Sequence, residues 1–293
     1  MEKLKYALFT GCTAKQSTPE QMMSTMAVAD KLDIDLVELT EASCCGASHL
    51  QDYDDFLSLV LNARNIAYAE KHDLTMVTIC NTCQLNTAMT KHRLDNNSEL
   101  KSQVNEKLAE VGLEYKGTSA ITHFLYAIID DIGLERIKEM VVKPLSQFNI
   151  APFYGCHNIR PSELHNETHK TKEDPYNPNS LDDLIIACGG HSVDYNEKNR
   201  CCGFHAELQA PKTAAILTGN AIAGAMDGDA DWVVTPCPLC HLKLDTQTHH
   251  ASAAIGREVE LPVLHMQQMV GLALGCSSEE LGLKHHLVDV DFV

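Results

Sequence analysis

Ten of the twelve cysteines fall into two frames of one pattern: a single cysteine, an adjacent pair followed by glycine, and a CxxC pair. The first frame is Cys12, Cys44-Cys45-Gly46 and Cys80-Asn-Thr-Cys83. The second is Cys156, Cys201-Cys202-Gly203 and Cys237-Pro-Leu-Cys240. In each, 34 residues separate the double cysteine from the CxxC pair. Five thiols per frame point to soft-metal chemistry. A structural zinc takes four ligands, so one thiolate of each frame is left over, and adjacent cysteines diverge from a single tetrahedral ion. An ordinary iron-sulfur cubane also takes four. A larger or opened iron-sulfur cluster, with one thiolate bridging two irons, uses all five. A structural zinc or thiol module without redox chemistry is the alternative from a different class.

The elements that must carry these thiols read as alternating strands and helices. Tyr6 to Thr10 is a short apolar run ending at Gly11-Cys12, and Ser17-Thr-Pro-Glu20 opens a helix through Met22 to Leu32. Ile34 to Leu39 alternates as a half-buried strand and runs into Cys44. Asp55 to Glu70 is an amphipathic helix, and Thr75 to Ile79 is a strand that Cys80 follows at once. Leu85 to His92, Leu100 to Val111 and Phe124 to Ile129 carry helical spacing. This order puts the five cysteines of the frame on loops at one edge of a parallel sheet, the carboxyl edge, where open sheets bind ligands.

The second half restarts at Phe148-Asn-Ile-Ala-Pro-Phe-Tyr-Gly-Cys156, echoing the approach to Cys12. It carries 13 more residues between its first two cysteine stations than the first half does. Those residues are assigned to a polar surface loop over His165 to Ser180, with Pro175 and Pro178. Leu181 to Cys188 and Glu207 to Ala225 read as helices, and Ser192 to Tyr195 and Trp232 to Thr235 as strands. The fold class expected is α/β, with two pseudo-twofold-related, Rossmann-like parallel-sheet halves over residues 1-146 and 147-293.

Composition narrows the function. The 293 residues are 44% hydrophobic, enough for real cores, and the net charge of -17 argues against a nucleic-acid surface. The sequence shows neither a signal peptide nor a transmembrane stretch, so the cysteines are expected to stay reduced. No GxGxxG follows a strand, so a flavin or nicotinamide is not expected here and electrons must enter through another chain.

The two frames resemble the duplicated CCG domain of the heterodisulfide reductase B subunit through nearly the whole chain. Tyr154-Gly-Cys-His-Asn-Ile-Arg-Pro161, Thr235-Pro-Cys-Pro-Leu-Cys-His241 and Leu261-Pro-Val-Leu-His265 support the likeness. The resemblance implies two noncubane 4Fe-4S clusters. One would be held by Cys12, Cys44, Cys45, Cys80 and Cys83, the other by Cys156, Cys201, Cys202, Cys237 and Cys240. The same domain occurs as the E subunit in a class of succinate dehydrogenases and fumarate reductases. Phe9-Thr-Gly-Cys-Thr-Ala-Lys-Gln-Ser-Thr-Pro19 and Cys44-Cys-Gly-Ala-Ser-His49 look more like that version. It implies a quinone-linked, peripherally membrane-associated oxidoreductase subunit, otherwise cytoplasmic, partnered by a flavoprotein and a ferredoxin-like iron-sulfur subunit. The heterodisulfide reductase B subunit, acting on a disulfide, is the other redox reading.

Of the 15 histidines, His49, His157, His205 and His241 follow cysteine stations, and His123 and His265 end similar Thr-His and Leu-His settings. His157 and His205 are the leading candidates for proton relay or for tuning a cluster. Cys188 and Cys276 lie outside both frames and read as small buried hydrophobes. Arg160 reads either as a charge partner for the site or as half of a structural ion pair. Val263 to Gly275 reads as an apolar helix that either faces the core or touches lipid.

Overall fold

The computed structural model describes residues 3–290. Two four-stranded parallel sheets carry the molecule. The first comprises β1 (Leu4–Phe9), β2 (Ile34–Glu38), β3 (Thr75–Thr78) and β4 (Ile121–His123), in the order β2-β1-β3-β4. The second comprises β5 (Asn149–Pro152), β6 (His191–Ser192), β7 (Trp232–Thr235) and β8 (Val263–His265), in the equivalent order β6-β5-β7-β8. Each central strand is buried along most of its length, as expected where helices cover both faces of a parallel sheet. The expected pair of pseudo-symmetric α/β halves is therefore present.

The halves do not have separate cores. One apolar cluster joins Leu8 and Val77 of the first sheet to Ile150, Trp232 and Val234 of the second. The other joins Phe9 and Met76 to Ala151, Phe153 and Val233. Alternate residues of a strand feed opposite faces, so both faces of each sheet contribute to a joint interior.

Helix boundaries follow local chemistry. Pro19 opens the Pro19–Lys31 helix at its first turn, and the Asp54 side chain accepts from Leu57 N at the start of Asp55–Lys71. The helix expected from Glu207 instead begins at Pro211, which supplies the preset φ of a first turn, and runs to Asp227. Strand β6 is two residues long, shorter than expected, because the chain leaves the ladder after Val193 N donates to Ile150 O.

The packing decides one open reading and corrects one expectation. The Met266–Ala273 helix is buried at every position and packs against Pro19–Lys31 of the other half, so it is a core helix and not a lipid-facing one. The polar stretch His165 to Ser180 is not a surface loop throughout. It begins within the Ser162–Thr168 helix, and His165, His169, Glu173 and Ser180 are all buried. Much of its polar backbone is satisfied internally: Glu173 accepts from Asn179 N and Ser180 N, and Asp130 of the first half accepts from Lys170 N and Thr171 N. Polar composition signals exposure only where such partners are lacking.

Candidate metal centre

The strand ends place the thiols. Cys12, Cys44-Cys45 and Cys80 follow β1, β2 and β3; Cys156, Cys201-Cys202 and Cys237 follow β5, β6 and β7. Cys80 and Cys237 each cap the helix that carries the second cysteine of the CxxC pair, Asn81–Asp95 and Pro238–Thr246. A helix N-terminus favours the thiolate form.

The turns before the single cysteines require glycine. Gly11 has φ +69° and Gly155 φ +68°, and a Cβ on either would lie 2.9 Å from a sulfur, Cys83 Sγ or Cys240 Sγ respectively. Gly155→Ala is therefore expected to lower metal loading of the second frame as well as stability. Gly112→Ala is the control, since Gly112 shares φ +69° but has nothing within 4 Å of its Cβ. It should carry only the backbone cost of about 1–2 kcal/mol. Iron content and thermal melting of the two variants check this.

The ten thiols form one unbroken line. Cys12 and Cys44 Sγ are 3.4 Å apart, and Cys45 and Cys83 Sγ 3.5 Å. Cys44 meets Cys45, and Cys83 meets Cys80. Cys80 then meets Cys237 across the two halves, and the line continues through Cys240, Cys202 and Cys201 to Cys156. All twelve cysteines are free thiols. Each frame has an open end and a buried end. Cys12 and Cys44 are exposed and Cys156 and Cys201 half-buried, whereas Cys45, Cys80, Cys83, Cys202, Cys237 and Cys240 are buried.

Crowding divides the protons unevenly. Hydrogen bonds from Cys156 and then Cys202 hold Cys201 down to about 2, and those from Cys44 and then Cys83 hold Cys45 well below the usual thiol range. The cost falls on their neighbours: Cys83 is driven up by Cys45 and Cys80, and Cys156 by Cys201. Five adjacent sulfurs ionise together only around positive charge, and five soft donors converging at one sheet edge fit an iron-sulfur group.

At the junction of the two frames stands Thr82, the third residue of the first CxxC pair. Its hydroxyl lies 3.0 Å from His157 Nδ1 and 3.2 Å from His205 Nε2, both from the second half. The two rings are 4.6 Å apart, and His49 lies 5.9 Å from His205. Burial lowers His157, and burial followed by the charge of His157 holds His205 down to about 4. Beside Thr82, Asn81 Nδ2 donates to Tyr154 O at 2.8 Å. Sequence reasoning missed Thr82 and Asn81. Their signal was asymmetry, because the matching positions of the second pair are Pro238 and Leu239.

The other singled-out residues go elsewhere. His123 Nδ1 accepts from Leu125 N as a helix cap. His241, the residue after Cys240, and His265 stack on each other with ring centroids 4.0 Å apart. Arg160 donates to the Asn199 and Pro175 carbonyls and forms no ion pair among the described residues. Cys188 and Cys276 are buried, and burial alone pushes Cys188 up to about 12. No helix among the described residues is long and apolar enough to cross a membrane.

Comparison with known proteins agrees with this arrangement. The family described as cysteine-rich domain, CCG, matches residues 6–87 and 150–245. The 8-methylmenaquinol:fumarate reductase membrane anchor subunit of Wolinella succinogenes is 40% identical over 285 residues, covering 97% of each chain. The B subunit of a ferredoxin/F420H2-dependent CoB-CoM heterodisulfide reductase from Methanosarcina acetivorans is 34% identical, covering 99% of this chain and 96% of its own. A hypothetical protein from Helicobacter pylori shares the fold, with a TM-score of 0.79 at 18% identity. The match takes in this whole chain but 53% of that one, so the chain spans about half its length. With ten cysteines in two frames at matching sheet edges, this chain belongs to the cysteine-rich CCG domain family and is related over nearly all its length to subunits of oxidoreductases.

Proposed function

We propose that the chain is the quinone-reacting, membrane-associating subunit of a succinate dehydrogenase or fumarate reductase type complex. In this reading residues 1-146 and 147-293 are its two CCG domains. Each would hold one noncubane 4Fe-4S cluster, the first in Cys12, Cys44, Cys45, Cys80 and Cys83 and the second in Cys156, Cys201, Cys202, Cys237 and Cys240. The observation that carries the reading is the unbroken line of ten thiols with Thr82, His157 and His205 at its midpoint. When bound, iron-sulfur groups supply one-electron storage and transfer.

The chain's own residues supply protons and access. A hydroxyl both donates and accepts, so Thr82 can pass a proton between the two imidazoles it joins, a requirement of any two-electron, two-proton quinone couple. The elements bearing His49 and His205 lead to exposed apolar side chains, Tyr53 at 90% and Leu208 at 76% exposure, which supports docking against a membrane surface or a partner. The flavoprotein and ferredoxin-like subunits of such a complex would deliver or remove the electrons.

A second reading is supported by the 34% identity to the heterodisulfide reductase component. The same proton-handling residues would then serve the two thiols released from a disulfide. The expected result for the purified chain is a brown protein with about eight irons and matching acid-labile sulfide; a colourless protein holding only zinc overturns both readings. Within the complex, quinol-dependent fumarate reduction is the expected activity. Heterodisulfide reduction in its place, with co-purification of a large flavoprotein rich in ferredoxin-type motifs, selects the second reading.

A further inference from the structure

Behind Cys240 lies a second group of ligand-type side chains that the cysteine frames do not use. Glu20 comes from the Pro19–Lys31 helix of the first half, His241 from Pro238–Thr246, and His265 from the end of β8. Their exposures are 2%, 2% and 0%, and one ligand atom from each lies within 4.8 Å of the others. His265 Nε2 and Glu20 Oε1 are 3.2 Å apart. Two ligands of a tetrahedral zinc, each about 2.0–2.1 Å from the ion, stand about 3.3 Å apart.

The surrounding hydrogen bonds hold His241 through Nε2 and leave Nδ1 without a partner among the described residues. His241 Nε2 lies 3.1 Å from His286 Nδ1, and His286 Nε2 lies 3.1 Å from Gln268 Oε1. Gln268 Oε1 also accepts from His265 N, and its amide donates to Leu281 O, which sets the amide's orientation. His286 Nε2 also lies 2.8 Å from Gln268 Nε2, so the run can carry its protons in either direction; in one of them His241 Nε2–H donates to His286, whose Nε2–H donates to Gln268 Oε1. His241 Nδ1 then carries a lone pair, and it makes no hydrogen bond among the described residues, although the Val263 carbonyl lies near the ring. A ligating imidazole oriented through its other nitrogen is the usual outer-sphere arrangement around a metal.

Charge points the same way. Glu20 and Asp245, one turn on from His241, are both buried at 2% exposure, and no lysine or arginine pairs with either among the described residues. Carboxylates buried without positive charge are costly, and a divalent cation removes that cost. The pseudo-symmetric position provides a comparison. Gln84 follows Cys83 as His241 follows Cys240, but it contacts Thr78 and His169, and that nest offers no carboxylate beside His123. Among the described residues, the second half is where imidazoles and acid come together at this place.

We infer that Glu20, His241 through Nδ1, and His265 bind one divalent first-row transition cation, zinc in the first instance, which clamps the first half to the second and to the tail after Gly282. Two imidazoles and one carboxylate are ligands suited to zinc. None of the three residues is one of the ten frame cysteines. To test it, the cluster-loaded chain is incubated with zinc, desalted and analysed for metals beside Glu20→Gln/His265→Gln. About one zinc per chain is expected beyond the iron, lost in the double variant with iron unchanged. Zinc absent from the wild-type chain, or retained in full by the variant, overturns the inference. Should the variant fail to fold, anomalous diffraction of the wild-type protein at the zinc edge decides: a peak between Glu20, His241 and His265 supports the site, and no peak there refutes it. Zinc found at the cysteines in addition to this site would count against the iron-sulfur reading alone.

Discussion

Serine in place of Cys202 is expected to remove about half of the bound iron and acid-labile sulfide, leaving the first frame's signal in place. Cys202 interacts with Cys201 and Cys240, both in its own frame, and its carbonyl is held by Thr218 of the same half. Nothing in that set reaches Cys12, Cys44 or Cys45. Cys80→Ser should behave differently. Cys80 touches both Cys83 and Cys237, so its loss should empty the first frame and also shift the spectrum of the second. Iron, sulfide and electron paramagnetic resonance measurements on the two variants separate these outcomes. If Cys202→Ser abolished both signals, the ten thiols would have to be treated as one site instead of two.

The spacing of the cysteines made much of this legible. A cysteine placed directly after a short apolar run announces a strand end, and three such stations per half fixed a parallel sheet with its ligands at the carboxyl edge. The fourth strand of each sheet was not legible. Ile121–His123 and Val263–His265 are three residues long and pass at once into a helix, so no alternation develops; their pairing with β3 and β7 defines them. The buried insertion around His165 and His169 was hidden for a related reason. Its histidines pack on Tyr126, at ring distances of 4.7 and 4.3 Å, a tertiary contact that polar composition does not reveal. Glu20 and His265 are 245 positions apart, and no local pattern joins them.

Removing the Thr82 hydroxyl tests the proposed function at the point where the two halves meet. Thr82→Val keeps the β-branched shape of a side chain that is 2% exposed, so the helix turn carrying Cys80 and Cys83 should stay in place and iron content should not change. What is lost is a hydroxyl bonded to both His157 and His205. If protons pass along this set, substrate-linked turnover should fall roughly 10- to 100-fold, and the solvent isotope effect should change with it. His205→Gln should cause a similar loss. The double variant should be little worse than either single one, because members of one relay do not contribute additively. A purely structural role predicts another pattern: Thr82→Val would lower the melting temperature or the iron content and leave turnover per loaded site intact. Full turnover in an iron-replete Thr82→Val protein would remove the relay. The cysteine line would still stand as a path for electrons, with the protons supplied from elsewhere.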